Sequence, residues 1–370
     1  ESCAIRQAFP RRAGHPTAGI KSLVVCHSCT AILGAEAIST MDRRTFVKIS
    51  GAVAAQSAVL SVWEAAAQSP PAEPAQSLIN PFTQQGQWFK AALHVHTTTS
   101  DGDVNVATRL AQYRAAGYHV VAVTDHWKTN DLSGFSDDKF LCISGMEAHL
   151  QTGTGAPAHH FVCLNLPHPF ELARDLPAQA LIDQVINAGG KVIYAHPYWT
   201  AHSLEEMTEV SGYVGIEVFN AVCHLRWNKG YNSVHWDQLL NKGRVVAAVA
   251  TDDVHATAEI DRGWTMIKAS SLDTNAVLNA IESGCSYSSC GPIIEDCRME
   301  EGTIRVATSP VRQISYFFDG AAGGHVVRAD AGQTLTTAQW NFGSEQPKCR
   351  WIRVEVVDQD GKCAWTNPMR

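Results

Sequence analysis

The chain has 370 residues, 45 % of them hydrophobic and 18 % charged, with a formal net charge of -7. That balance fits one large soluble globular domain or two, and excludes a collagenous or disordered chain. It offers no basic surface for nucleic acid or anionic lipid, although bound divalent cations could still reverse the local field for a phosphorylated substrate.

Residues 1–40 show little periodicity and hold Cys26-His27-Ser28-Cys29 ahead of a plausible start at Met41. A C-x-x-C alone can be a metal or redox site, but this stretch is read as upstream read-through and kept out of the fold. "MDRRTFVKISGAVAAQSAVLSVWEAAAQS" then reads as an export leader. Arg43-Arg44 opens it, a mild Ala/Val/Leu stretch follows, and Ala65-Ala66-Ala67 gives an A-x-A exit. This predicts a twin-arginine signal over residues 41–67, cleaved after Ala67, and a periplasmic or secreted product delivered by the twin-arginine machinery. Its apolar part is too short and weak for a stable membrane anchor. Residues 68–86, "QSPPAEPAQSLINPFTQQG", form a Pro/Gln-rich linker.

From 87 to 285 strands and helices alternate. "WFKAALHVH" is strand-like, and "VNVATRLAQYRAAG" is helical up to Gly117. "YHVVAVTDH", "KFLCISGMEAH" and "AHHFVCLNL" are strands, and "PAQALIDQVINAGG" is a helix before the strand "KVIYAHP". "GYVGIEVFN", a helix around Val234 to Asn241, "RVVAAVATDDVH", "GWTMIKA" and the helix "DTNAVLNAIESG" complete the run. The alternation predicts an α/β domain with mainly parallel pairing. Polar residues recur where these strands end, and contributions from almost every strand favour a closed barrel over an open sheet. Residues 286–370 change to short alternating runs broken by Asp-Gly and Gly turns, which predicts a small all-β, sandwich-like module.

Eleven cysteines include five in the last quarter, Cys285, Cys290, Cys297, Cys349 and Cys363. An oxidising compartment would permit disulfides there, but an odd number gives no pairing. Cys142, Cys163 and Cys223 lie in apolar runs and read as ordinary buried residues.

Chemistry concentrates in the histidines. In "ALHVHTTTSDG" a strand puts His94 and His96 on one face, where two imidazoles coexist easily if neutral and sharing a metal. "TDH" ends the next strand and "DDVH" a late one, with Glu147, His160 and His196 between them. Nitrogen and carboxylate donors without cysteine suit Zn²⁺, Mn²⁺ or Fe²⁺, and Glu147 could bridge two ions. His119, His149, His168, His202, His224, His235 and His325 lack such spacing and read as ordinary. Glu217 and Asn220 face the rim as positioners of substrate or water, or in a structural role. Arg226, Arg262 and Lys128 are candidate anion contacts.

"HVHTTTSDG", "VTDH", "GMEAH", "HFVCL", "AHP", "IEVFN" and "TDDVH", in this order, resemble the PHP (polymerase and histidinol phosphatase) superfamily of metallohydrolases over about Phe89 to Gly284. The resemblance implies a distorted (β/α)7 barrel binding two or three divalent ions. It implies that His94, His96 and Asp253 hold one ion and share Glu147 with a second, that His160 and His196 complete the second, and that Asp101, His126 and His255 hold a third. It also implies that Asp125, and Asp252 likewise, orient a neighbouring histidine. Some relatives carry His where Asp101 or Gly102 stands here. His160 is preferred to His159 because it directly precedes "FVCL". The catalytic set so implied is Glu147, Asp253 and His196 around a metal-bound hydroxide. The expected activity is a phosphoesterase acting on a small molecule. The alternative is a carbamate, ester or amide hydrolase similar to carbaryl hydrolases, which the aromatic-rich "HPYW", "DHW" and "RGW" would suit. A binding protein without chemistry would have lost ligands, and the set here is complete.

Overall fold

A computed structural model of the chain describes residues 78–150, 158–320, 324–341 and 349–369. The expected upstream segment, export leader and most of the linker lie outside these residues. Among the described residues no helix is long and apolar enough to cross a membrane.

The first half is built on seven strands: β1 (Gln87–Ala92), β2 (Val120–Val123), β3 (Leu141–His149), β4 (His160–Leu164), β5 (Lys191–Tyr194), β6 (Gly215–Asn220) and β7 (Ala247–Thr251). They are hydrogen-bonded neighbours in that order. Every residue of β2, β6 and β7 is buried, as expected of strands covered on both faces. The covering helices are α1 (Val106–Ala115), α2 (Ala178–Asn187), α3 (Leu204–Glu209), α4 (Ala221–Trp227) and α5 (Ser233–Asn241). Asn105 caps α1 through the Thr108 N–H, and Ser203 with Glu206 forms a capping box on α3. The short α3 and α4 were not anticipated: six or seven residues are too few to display a helical period.

Within β1 to β7 the pairing is mainly parallel, as expected, with one reversed strand. β1–β2, β2–β3, β5–β6 and β6–β7 are parallel, but β4 runs antiparallel to both neighbours. This reversal puts the beginning of β4, and with it His160, at the same rim as the ends of β3 and β5. The ladder is open between β7 and β1. Just beyond those strands, a parallel bridge joins Val95 to Val254. Across it the Asp253 N–H donates to His94 O and the His96 N–H to Val254 O, both at 3.1 Å.

On the other side of β1 the sheet continues through β8 (Trp264–Ala269) and, after α6 (Thr274–Glu282), β9 (Ser286–Ser289). Strands β10 (Ile294–Glu300), β11 (Thr303–Val311), β12 (Gln313–Phe318), β13 (Gly324–Arg328), β14 (Leu335–Asn341), β15 (Ile352–Val357) and β16 (Cys363–Thr366) follow. The large sheet has 13 strands, ordered β13-β12-β15-β16-β9-β8-β1 and then β2 to β7. The expected boundary at 286 therefore falls between β8 and β9, which are paired. β10, β11 and β14 form a second, antiparallel sheet. Its Cys297, Ile304 and Val306 share one buried cluster with Ile314, Val354 and Val356 of the large sheet, the sandwich-like packing that alternation predicts.

Candidate metal centre

The donors gather at the rim where β1, β2, β3, β5, β6 and β7 end. His94 and His96 are fully buried, and their Nε2 atoms approach to 3.1 Å. Asp253 Oδ1 lies 3.0 Å from His96 Nε2 and 3.3 Å from His94 Nε2. Glu147, at the middle of the group, places Oε2 3.3 Å from His94 Nε2, 3.5 Å from His96 Nε2 and 2.9 Å from His126 Nδ1. Its Oε1 lies 2.7 Å from His160 Nδ1 and 3.2 Å from His196 Nε2. Asp101 Oδ2 stands 3.3 Å from His255 Nε2 and 3.5 Å from His126 Nε2.

Among the described residues, four overlapping sets of donor atoms come close enough to hold cations: His96, Asp101, His126 and His255; His94, His196 and Asp253; His94, His96 and Glu147; and Glu147, His160 and His196. Hydrogen bonding fixes the tautomers of two of these rings. Glu217 Oε1 takes the His94 Nδ1 proton at 2.8 Å, and the Asp253 carbonyl takes that of His255 Nδ1, also at 2.8 Å. In its neutral form each ring is left with an Nε2 lone pair aimed at carboxylates. Asp253 Oδ1 and His126 Nδ1 are buried without a hydrogen bond despite these short separations, because the atoms converge off-line rather than donor to acceptor. Buried lone pairs facing one another are costly unless a cation or protons lie between them. The donor set therefore fits hard or borderline divalent ions.

Charge in the cluster is correspondingly polarised. Burial opposes protonation of His94, but the carboxylates of Asp253, Glu147 and Glu217 outweigh it and hold its pKa well above the ordinary value. Against burial, Asp101 and Glu147 lift His126 to about 10. Burial would raise Glu147, yet the His94 charge and the close approach of His126, His160 and His196 hold it well below the usual range. Backbone strain is present too: Asp253 has φ 55° and His196 φ 25°, left-handed values that non-glycine residues adopt at a cost and that collect at functional sites.

Glu217 and Asn220, expected at the rim as positioners or in a structural role, and Asp125 and Asp252, expected to orient histidines, take different places. Glu217 is buried, binds His94, accepts the His196 N–H at 2.9 Å and is held by Thr251 Oγ1 and Asn220 Nδ2, each at 2.8 Å. Asn220 Nδ2 also reaches Asp253 Oδ2 at 3.1 Å. Both sit beneath the donors instead of facing substrate. Asp125 instead orders the loop after β1, accepting from the Thr97 N–H and hydroxyl, the Ser100 N–H and hydroxyl, and Asn130. Asp252 does the same beyond β7, taking the N–H groups of Asp261, Arg262 and Gly263 and the Tyr113 hydroxyl. Neither bonds a histidine of the cluster, so the expected orienting role is corrected to a loop-ordering one.

The residues expected as anion contacts each have a partner within the protein. Arg226 is paired with Glu259 at 2.6 Å, and Glu259 in turn accepts the His255 and Ala256 N–H groups. Arg226 thus braces the loop carrying His255. Arg262 reaches the Ala258 carbonyl, and Lys128 donates to Thr99 O at 2.8 Å on the exposed side of the rim. Two residues of the site escaped the sequence reading. Arg109, fully buried in α1, donates to His96 O at 3.2 Å and His255 O at 3.3 Å and pairs with Asp103. His149, read as ordinary, faces His160 across the β3–β4 pair, with ring centroids 5.0 Å apart. No spacing rule marks either, because each acts on atoms brought in from other elements.

No family model and no curated protein matches the chain. Among solved structures, it is similar to a two-domain protein containing a predicted PHP-like metal-dependent phosphoesterase from Bacteroides vulgatus. The identity is 16 %, the match covers 81 % of this chain and 100 % of that one, and the TM-score is 0.45. It is also similar to an amidohydrolase from Chromobacterium violaceum (17 % identity, 45 % and 87 % of the chains, TM-score 0.36). A third is a lesion-specific endonuclease from Pyrococcus furiosus (12 % identity, 53 % and 56 % of the chains, TM-score 0.35). Likenesses this distant assign no activity, and the chemistry rests on the atoms of the cluster.

Proposed function

We propose that this protein is a metal-dependent hydrolase of phosphate esters, built on a distorted (β/α)7 barrel whose seam is the Val95–Val254 bridge. One observation carries the reading: Glu147 reaches His94, His96, His126, His160 and His196 within 3.5 Å, beside the buried, unpartnered Asp253 Oδ1. His94, His96 and Asp253 would hold one ion, Glu147 with His160 and His196 a second, and Asp101, His126 and His255 a third, with Zn²⁺, Mn²⁺ or Fe²⁺ as candidates. Bound there, such ions lower the pKa of water towards neutrality and polarise a phosphoryl oxygen.

The chain's own residues prepare that chemistry. Glu217 keeps the His94 proton on Nδ1, and the Asp253 carbonyl does the same for His255, so both Nε2 atoms face inward. Asn220 holds Glu217 and Asp253 in one network. Hydrolysis would join a water oxygen to phosphorus and break the bond to the ester oxygen, which leaves with a proton.

A second reading, hydrolysis of a carbamate or carboxyl ester, draws support from one feature: Arg226 is already paired with Glu259, which leaves no paired-arginine clamp for a dianion. Purified protein loaded with Mn²⁺ or Zn²⁺ and given 4-nitrophenyl phosphate, 1-naphthyl methylcarbamate and 4-nitrophenyl acetate separates the two. Phosphate release alone is expected, and ester or carbamate turnover without it would reverse the assignment. Export through residues 41–67 belongs to the same proposal, and N-terminal sequencing of the exported protein should begin at Gln68.

A further inference from the structure

Trp199 stands edge-on to two histidines of the cluster at once. Its ring centroid is 5.1 Å from His196 at an interplanar angle of 89°, and 5.7 Å from His160 at 80°. Its neighbour on the outer side is Trp227, 5.4 Å away. Trp227 closes α4 and is 50 % exposed. Tyr198 is 45 % exposed, and its N–H donates to Asn232 Oδ1 at 2.9 Å, tying the loop after β5 to the connection between α4 and α5.

Eight large hydrophobic residues stand exposed among the described residues, and four of them lie on the loop after β5 (Tyr198), on α4 (Leu225 and Trp227) and at the start of α5 (Val234). Single exposed apolar residues need no explanation, but Trp227 differs in being joined through the Trp199 ring to the polar cluster, and an aromatic surface beside convergent polar groups is the usual make-up of a ligand site. Indole faces offer sequence-tolerant stacking for a planar ring at little entropic cost. The surface begins at His160 and His196, the two rings that hold Glu147 Oε1, and runs outward to solvent.

We propose that Trp199 and Trp227 form a subsite for a planar aromatic group on the substrate, the aryl side of an aryl ester whose reacting group lies against His160, His196 and Glu147. The location of the reacting group rests on the hydrolase reading; the aromatic preference rests on the tryptophans. Trp227 is a specificity-determining residue, and it stacks on the part of the substrate that leaves.

The test compares phosphate release from 1-naphthyl phosphate and ethyl phosphate by the full chain loaded with Mn²⁺. The ratio of the two kcat/KM values should fall about tenfold in Trp227→Ala, mainly through KM for the aryl substrate, and recover most of the way in Trp227→Phe. A ratio that Trp227→Ala leaves unchanged overturns the proposal. Titration calorimetry with 1-naphthol as the probe needs no turnover: binding should weaken at least about fivefold in Trp227→Ala, and equal binding overturns the subsite. If no ester is hydrolysed while that difference persists, the hydrolase reading fails and the aromatic subsite stands. A concentration-dependent dimer in sedimentation that Trp227→Ala dissolves would assign the patch to a second copy of the chain, and would overturn the proposal.

Discussion

Glu147 is the residue whose removal should be felt most widely, because five imidazoles point at its two oxygens. Glu147→Gln keeps the volume and loses the charge. It should cut turnover by about 10³-fold or more, since it acts with its neighbours as one unit, and should lower the bound metal read by elemental analysis. Full rate with full metal content would remove Glu147 from the site. Glu217→Gln tests a subtler role. It spares the donors but weakens the hold on the His94 Nδ1 proton, so metal affinity should fall about 10- to 100-fold, and excess metal should restore most of the rate. The first of these residues was legible in the sequence and the second only as a rim position. Strand alternation places His94 beside His96, and "GMEAH" ends a strand with its carboxylate near the rim. The partnership of Glu217 with His94 spans 123 positions and leaves no trace in local spacing. Arg109 is hidden for the same reason: its targets are carbonyl groups, which carry no sequence identity.

At the scale of elements, the loop after β1 is the most constrained piece of the site. Gly102 has no room for a side chain: a Cβ there would meet the His96 carbonyl carbon and oxygen at 2.6 Å and the Thr97 nitrogen at 2.7 Å. All three are backbone atoms that cannot swing aside. Gly102→Ala should therefore displace the segment that carries Asp101 and cost about 1–3 kcal/mol, the range for overpacking. Scanning calorimetry measures the stability loss, and metal stoichiometry should show the group of Asp101, His126 and His255 losing affinity before the Glu147 groups do. Equal loss from every group would mean that the loop is not an independent carrier of its donor. The strands themselves were readable as apolar runs bounded by turn residues. The direction of β4 was not, because hydrophobic periodicity is the same whichever way a strand runs. His160 could still be placed at the rim, since it precedes the apolar run and the reversal brings that end round.

Over the whole molecule, the question is whether the last 85 residues, the expected separate β module, unfold with the first half or alone. Sheet order favours one unit: β9 pairs with β8 on one side and β16 on the other, so hydrogen bonding runs without interruption from β7 to β13. A composition change at 286 could announce short strands but not their continuity with the earlier sheet, because register between distant strands is set by packing. Arg353 reports on this coupling. It is fully buried in β15, and its guanidinium forks onto Asp237 of α5, with Nε 2.6 Å from Oδ1 and Nη2 2.8 Å from Oδ2. It also pairs with Glu355 and lies over the rings of Phe317 at 4.1 Å and Trp236 at 5.1 Å. Arg353→Ala strips the cation from two carboxylates and empties a stacked site, while touching no donor of the metal cluster. Breaking a buried pair from one side costs about 3–5 kcal/mol; the partly exposed Asp237 side chain regains some solvation, which places the loss near the lower end. For a cooperative unit of this size that lowers Tm by roughly 5 °C. The expected thermogram is a single transition moved down as a whole, with metal content unchanged below it. A split into two transitions, the lower one carrying only the C-terminal strands, would show that the continuous ladder does not make the two halves one cooperative fold.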